Sequence, residues 1–150
     1  SELAQDFVDF IMSSDGQAIV ADNSLIEAAD GAAYSAAGLS GTIVVGGSTS
    51  VTPIMEKLAE AYEGLNEGVS IEIQSTGSSA GMTAAMEGSA DIGMASRDLK
   101  DSEKAELSYQ AIAIDGIAVI INNENTINDL SMDEIKSIYL GETTTWSEIE

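Results

Sequence analysis

The stretch GTIVVGGSTSVTPIMEKLAEAY, residues 41–62, constrains this chain more than any other. Residues 42–45 are a β-branched run that predicts a short buried strand. Gly46 and Gly47 end it, and Ser48, Thr49 and Ser50 follow. Then Ile54, Met55, Leu58, Ala59 and Tyr62 recur at the spacing of one helix face. A Ser or Thr ahead of such a face is a natural N-cap, and Pro53 in the first turn removes no needed hydrogen bond. Strand, tight turn, hydroxyls and helix start together leave unpaired backbone N–H groups beside the positive end of a helix. Anions bind at such places.

The same alternation continues. Val69, Ile71 and Ile73 alternate with polar residues and predict a half-buried strand, which runs into Ser75-Thr76-Gly77-Ser78-Ser79-Ala80-Gly81-Met82. A helix follows to about Glu87, with Gly88 placed to end it. Residues 91–95 predict a third strand, followed by Ser96, Arg97 and Asp98, and Asp101 or Ser102 caps a brief helix to Leu107. Ahead of this region, Leu3, Phe7, Phe10 and Ile11 mark a helix, Asp15-Gly16 interrupts it, and residues 17–22 add a short helical turn or two. Residues 24–40 are rich in Ala, Gly and Ser and read as a surface connector. Residues 111–121 are apolar except for Asp115-Gly116, as for a strand covered on both faces or one crossing between lobes. Ser131 and Glu134 form a capping box, with Leu130 and Ile135 as a staple, for a helix ending at Leu140 before Gly141. Strands alternating with helices predict an α/β fold with a mainly parallel sheet flanked by helices. In such sheets ligands lie beyond the carboxyl ends of the strands, where three small polar loops here compete for one place.

Composition removes several chemistries. The 150 residues suit one domain with a genuine core, and 44% are hydrophobic. Cysteine and histidine are both absent, so disulfides, thiolate metal sites and the commonest general base are unavailable. No metal or cofactor is expected. Five basic residues face 26 acidic ones, for a net charge of -21, which excludes nucleic acid as a partner because phosphate backbones need clustered Lys and Arg. A small anion is another matter: screening acts over about 8 Å at physiological salt, so donors in direct contact outweigh distant carboxylates. No apolar run approaches the ~20 residues of a membrane span. The chain opens in a helix without a signal peptide, which implies a processed or excised segment.

Residues 77–81 match the nucleophile-elbow pattern G-x-S-x-G and would make Ser79 a nucleophile, but that elbow needs a histidine to take the proton, and the remaining route, a Ser-Lys variant, needs a lysine nearby in space. The GGSTS turn lacks the lysine of a phosphate-binding loop and the spacing of a dinucleotide fingerprint. Arg97 is the sole arginine, and its fork of donors at a strand end suits a tetrahedral oxyanion. Asp115 has two readings, a carboxylate facing a cleft that accepts the proton of a monohydrogen oxyanion, or a structural turn with Gly116.

At this point the residues resemble a known family. GGSTSVTP, STGSSAGM, DIGMASRDL, AIDGIAVIIN and LSMDEIKSIYLGETTTWSEI are similar, in this order, to motifs of the phosphate-binding receptors of phosphate ABC transporters, two-lobed proteins of the periplasmic-binding-protein class. The resemblance implies a non-catalytic receptor that binds inorganic phosphate or a similar oxyanion. It implies contacts from Thr49, Ser50, Ser78, Ser79, Ser96 and Arg97, a membrane permease as partner of the full-length protein, and an extracytoplasmic location. Many members place an aspartate in the pocket; Ser96-Arg97 stands at that third-loop position here, which makes Asp115 the candidate for taking the ligand's proton.

Two departures shape the expected organisation. Residues 1–23 resemble the family's C-terminal helix yet come first, as in a circular permutation or a cut across tandem copies. The family's second lobe adds an Arg and a Ser-Gly-Thr run to the far side of the ligand, and this chain carries neither segment. The expected division is a helix over 1–23, a connector over 24–40, an anion-binding α/β lobe over 41–121 and the start of an inter-lobe segment over 122–150. The site is then a partial one, and self-association of the isolated lobe through apolar residues 117–121 follows. Two rival readings are an interaction or structural module without ligand and a serine hydrolase using Ser79.

Overall fold

A computed structural model describes residues 1–149. It divides into two units, residues 1–116 and residues 117–149 of the second. The first opens with two helices, α1 (Glu2–Met12) and α2 (Ser14–Asp22). The break between them falls at Ser13, two residues before the expected Asp15-Gly16. Ser13 has extended backbone geometry, and its Oγ accepts the Gly16 N–H at 3.2 Å while donating to the Phe10 carbonyl at 2.6 Å. A serine that caps the next helix sets the boundary. Gly16 instead lies inside α2, where an added Cβ would strike the carbonyls of Phe10 and Ile11.

The small-residue segment 24–40 contains one short strand, β1 (Ile26–Glu27), and is tied down by specific bonds. Asp15 accepts the Tyr34 N–H at 2.7 Å, and Asp6 Oδ2 accepts the phenols of Tyr34 at 2.6 Å and Tyr62 at 2.5 Å. The rings of Phe7, Phe10, Tyr34 and Tyr62 pack at centroid separations of 5.0–6.5 Å. Burial and the Asp6 acceptor raise both phenol pKa values, so the hydroxyls stay protonated donors. Gln17, buried in α2, donates to the carbonyls of Ile11 and Ile112 and accepts the Ala28 N–H at 2.7 Å.

Next come β2 (Gly41–Gly47), α3 (Thr52–Leu65), β3 (Val69–Ser75), α4 (Ser78–Glu87) and β4 (Ile92–Met94). The three strands form a parallel sheet in the order β3-β2-β4, with Gly47 opposite both Ser75 and Met94. The α3 residues predicted as one face are all buried: Ile54, Met55, Leu58, Ala59 and Tyr62. They meet Ile43 and Val45 of β2 and Phe7, Phe10 and Ile11 of α1 in a single core. Gly88 ends α4 with φ 75°, the left-handed conformation that glycine adopts without strain. A six-residue helix, α5 (Asp101–Glu106), follows, and then β5 (Ala113–Ile114) pairs antiparallel with β1.

The expectation of a covered strand over residues 111–121 is not met. Only Ala113–Ile114 pair, because β1 offers two residues of edge and no more. Residues 115–121 have no regular secondary structure, and Ile117 and Ile120 are exposed. In the second unit, α6 (Met132–Leu140) starts at the capping box read from sequence: Ser131 Oγ accepts the Glu134 N–H at 3.3 Å, and the Glu134 carboxylate accepts the Ser131 N–H at 2.7 Å. Gly141 closes it at φ 73°.

Candidate functional site

Because β2, β3 and β4 run parallel, their carboxyl ends share one edge of the sheet, and each strand leads directly into a polar corner. Hydrogen bonds join the corners. The Ser48 N–H donates to the Met94 carbonyl at 3.0 Å, and the N–H groups of Thr76 and Gly77 donate to the Gly47 carbonyl at 2.9 and 2.7 Å. Thr52 Oγ1 reaches Ser75 Oγ at 3.2 Å, and the Ser96 N–H reaches Ser78 Oγ at 3.3 Å. The structure therefore brings together the loops that carry Thr49, Ser50, Ser78, Ser79, Ser96 and Arg97.

Two glycines permit this approach. A Cβ on Gly81 of α4 would run into the Gly46 carbonyl and the Gly47 Cα, and one on Gly47 (φ 143°) would run into Met94. With hydrogen there instead, α4 sits directly on the end of β2.

The first two corners expose donors. α4 begins at Gly77 with no side-chain cap. Among the described residues, the N–H groups of Ser78, Ser79 and Ala80 have no acceptor, nor do those of Thr49, Ser50 and Val51. Contrary to expectation, no serine or threonine side chain caps α3. Its N-cap is Val51 in helical geometry, because Thr52 turns its hydroxyl back to the Ser48 carbonyl at 3.0 Å. Thr49 and Ser50 are left exposed, with hydroxyls that make no hydrogen bond among the described residues. Six amides and several hydroxyls at two helix starts favour negative charge there.

The third corner differs from the sequence reading in one respect. Arg97 already has a carboxylate partner: Nη1 donates to Glu103 Oε2 and Nη2 to Glu103 Oε1, both at 2.8 Å. Nη1 also reaches the Asp98 carbonyl at 2.9 Å, and Nη2 reaches Ser79 Oγ at 3.4 Å. The Glu103 side chain is 6% exposed and also accepts the Lys100 N–H at 2.8 Å. The Arg97 guanidinium, then the Lys100 N–H, hold the Glu103 carboxyl down to about 2, while the same pair raises Arg97. Glu103 lies six residues along the chain, across a loop, and only a charge opposite in sign to Arg97 hinted at it.

Asp115 stands apart. It is exposed, follows β5 in the two-stranded sheet, and makes no hydrogen bond to any of the three corners among the described residues. A groove elsewhere in the first unit is lined by Asp6, Asp9, Met12, Ser13 and residues 31–35, and its carboxylates disfavour an anion. Ser79 Oγ accepts from Arg97 Nη2 at 3.4 Å, a guanidinium takes no proton, and no other side chain is hydrogen-bonded to that hydroxyl among the described residues. Among the described residues no three His, Cys, Asp or Glu side chains group as a metal site, and no helix is long and apolar enough to cross a membrane.

Residues 32–149 match the model of the PBP superfamily domain. Similar curated proteins are the phosphate-binding protein PstS 2 of Streptococcus agalactiae serotype V, 49% identical over 149 residues, and that of Streptococcus pneumoniae serotype 4, 50% identical over 151. The alignments cover 99% and 100% of this chain but 51% and 52% of those proteins, so the chain spans about half the length of the curated relatives it matches. Among solved structures, a phosphate-binding protein of a phosphate ABC transporter from Streptococcus pneumoniae is 50% identical with a TM-score of 0.86, over 100% of this chain and 59% of that one. A phosphate ABC transporter substrate-binding protein from Clostridium perfringens, solved with bound phosphate, is 50% identical with a TM-score of 0.53, over 73% of this chain and 45% of that one. The helix-flanked parallel sheet and its three joined corners are one lobe of a two-lobed periplasmic-binding-protein-like fold, and the chain belongs to the PBP superfamily.

Proposed function

We propose that the rim formed by the three corners binds inorganic phosphate or a similar tetrahedral oxyanion, as the half-site of an extracytoplasmic receptor serving an ABC-type phosphate importer. The observation that carries this reading is the meeting of two uncapped helix starts and a third polar loop at one sheet edge. Thr49 and Ser50 supply hydroxyls and N–H groups from the first corner. Ser78 and Ser79 supply them from the second, and Ser96 and Arg97 complete the set. The relatives' names and the phosphate in the Clostridium perfringens structure support the choice of anion. Asp115, which makes no hydrogen bond to these corners among the described residues, is left out of the proposed donor set. Binding here needs no chemistry, because hydroxyls, amides and a guanidinium donate hydrogen bonds without moving a proton. A permease partner belongs to the longer receptor.

A site open on one side leaves the anion hydrated, so the 150-residue chain binds phosphate weakly, with Kd on the order of 1 mM. Calorimetric titration measures this directly. Arg97→Ala should lower the affinity further, because it removes a donor and leaves the Glu103 carboxylate unpaired at the rim. Unchanged affinity in that variant would remove the third corner from the site.

A further inference from the structure

We propose that Glu103 is a positioning residue for the oxyanion site: it grips Arg97 along its Nη1–Nη2 edge and so fixes one Nη2–H beside Ser79 Oγ, where a bound oxyanion accepts it. The inference rests on the phosphate-binding reading of the three corners. Charge alone argues against placing a carboxylate there. The chain already carries a net charge of -21, and a further anion beside the rim repels the ligand. Glu103 is nevertheless nearly buried, at 6% exposure, and makes two bonds of 2.8 Å to one guanidinium. Its third bond, from the Lys100 N–H, fixes the carboxylate to the start of α5. With Nη1 also held by the Asp98 carbonyl, the guanidinium plane has little freedom left. The contact to Ser79 Oγ, at 3.4 Å, is the longest of the four and the one a ligand oxygen displaces most easily. An arginine held in this way loses less rotamer freedom when the anion arrives.

Charge and positioning predict opposite signs for one substitution. Glu103→Gln keeps the side-chain size and removes one negative charge. Repulsion alone makes phosphate bind more tightly to this variant. Positioning makes it bind more weakly, by about three- to tenfold, because the amide keeps one oxygen for one Nη and turns an NH2 donor toward the other. Glu103→Asp retains the charge but shortens the reach, and it should recover only part of the loss. Side-chain ¹⁵N spectra supply a readout that a purely structural role does not move: phosphate shifts the Arg97 Nη2 signal of the parent, and that phosphate-dependent shift is lost in Glu103→Gln, where the Nη signals merge as the guanidinium turns freely.

Phosphate titration of the parent and both variants by NMR decides the matter. Weaker binding in Glu103→Gln with merged Nη signals supports the inference. Equal or tighter binding in that variant, with the parent responding at the three corners, overturns the positioning role alone. A parent that shows no response at those corners overturns the phosphate reading and this inference with it. Where circular dichroism shows that Glu103→Gln does not fold, Glu103→Asp carries the test, and parent-like affinity in it overturns the role.

Discussion

At Gly81 a single hydrogen atom decides whether the corners meet. A Cβ there would strike both the Gly46 carbonyl oxygen and the Gly47 Cα, so any side chain pushes α4 off the end of β2. Gly81→Ala should destabilise the fold by about 1–3 kcal/mol, the usual range for forcing a methyl into packed backbone. Urea unfolding measures it, and a loss below about 0.5 kcal/mol would show that the corner can relax without cost. The substitution should also weaken phosphate binding in molecules that remain folded, because the N–H groups of Ser78 and Ser79 move with the helix. Nothing in Gly-Ser-Ser-Ala-Gly alone distinguishes Gly77 from Gly81. One needs glycine for a φ of 90°, the other for close contact with a neighbouring strand.

At the scale of elements, α5 is joined to the third corner by the Arg97–Glu103 pair, and acid should release it. Glu103 has its carboxyl lowered from the usual 4.5 to about 2, first by Arg97 and then by the Lys100 N–H. A depressed carboxylate stabilises the fold fully above its unfolded value and loses that contribution as pH falls through the folded one. The stability difference between the parent and Glu103→Gln should thus be constant above about pH 5 and shrink between pH 4.5 and 2. The other carboxylates cancel in this difference. A gap that stays constant down to pH 2.5 would show that the pair does not hold α5. The same scale shows what sequence could reveal. β2 and α3 were legible because Ile43, Val45 and the five apolar residues of α3 follow clean periods into one core. α6 was legible because Ser131 and Glu134 satisfy each other locally. The apolar run at 111–121 was misleading: hydrophobicity marks what can be a strand, but pairing needs an edge, and β1 supplies two residues. Tyr34 was hidden inside an Ala/Gly-rich segment because its partners, Asp6 and Asp15, lie more than fifteen residues away.

For the molecule as a whole, the acidic charge and the proposed ligand are compatible because they act at different distances. The net charge of -21 is spread over the surface and screened within about 8 Å, whereas the amides of the corners would touch the anion directly. The half-length match to the curated relatives sets the expected affinity rather than the identity of the donors. The claim on which the account turns is that three separate β–α corners act as one anion site. Amide chemical shifts of the ¹⁵N-labelled chain during titration with phosphate test it most directly. Binding at one shared site gives concerted, saturable shifts at Thr49, Ser50, Ser78, Ser79 and Ser96, all fitting one dissociation constant, with Asp115 unmoved. Shifts confined to one corner, or spread over the chain without saturating, would contradict it.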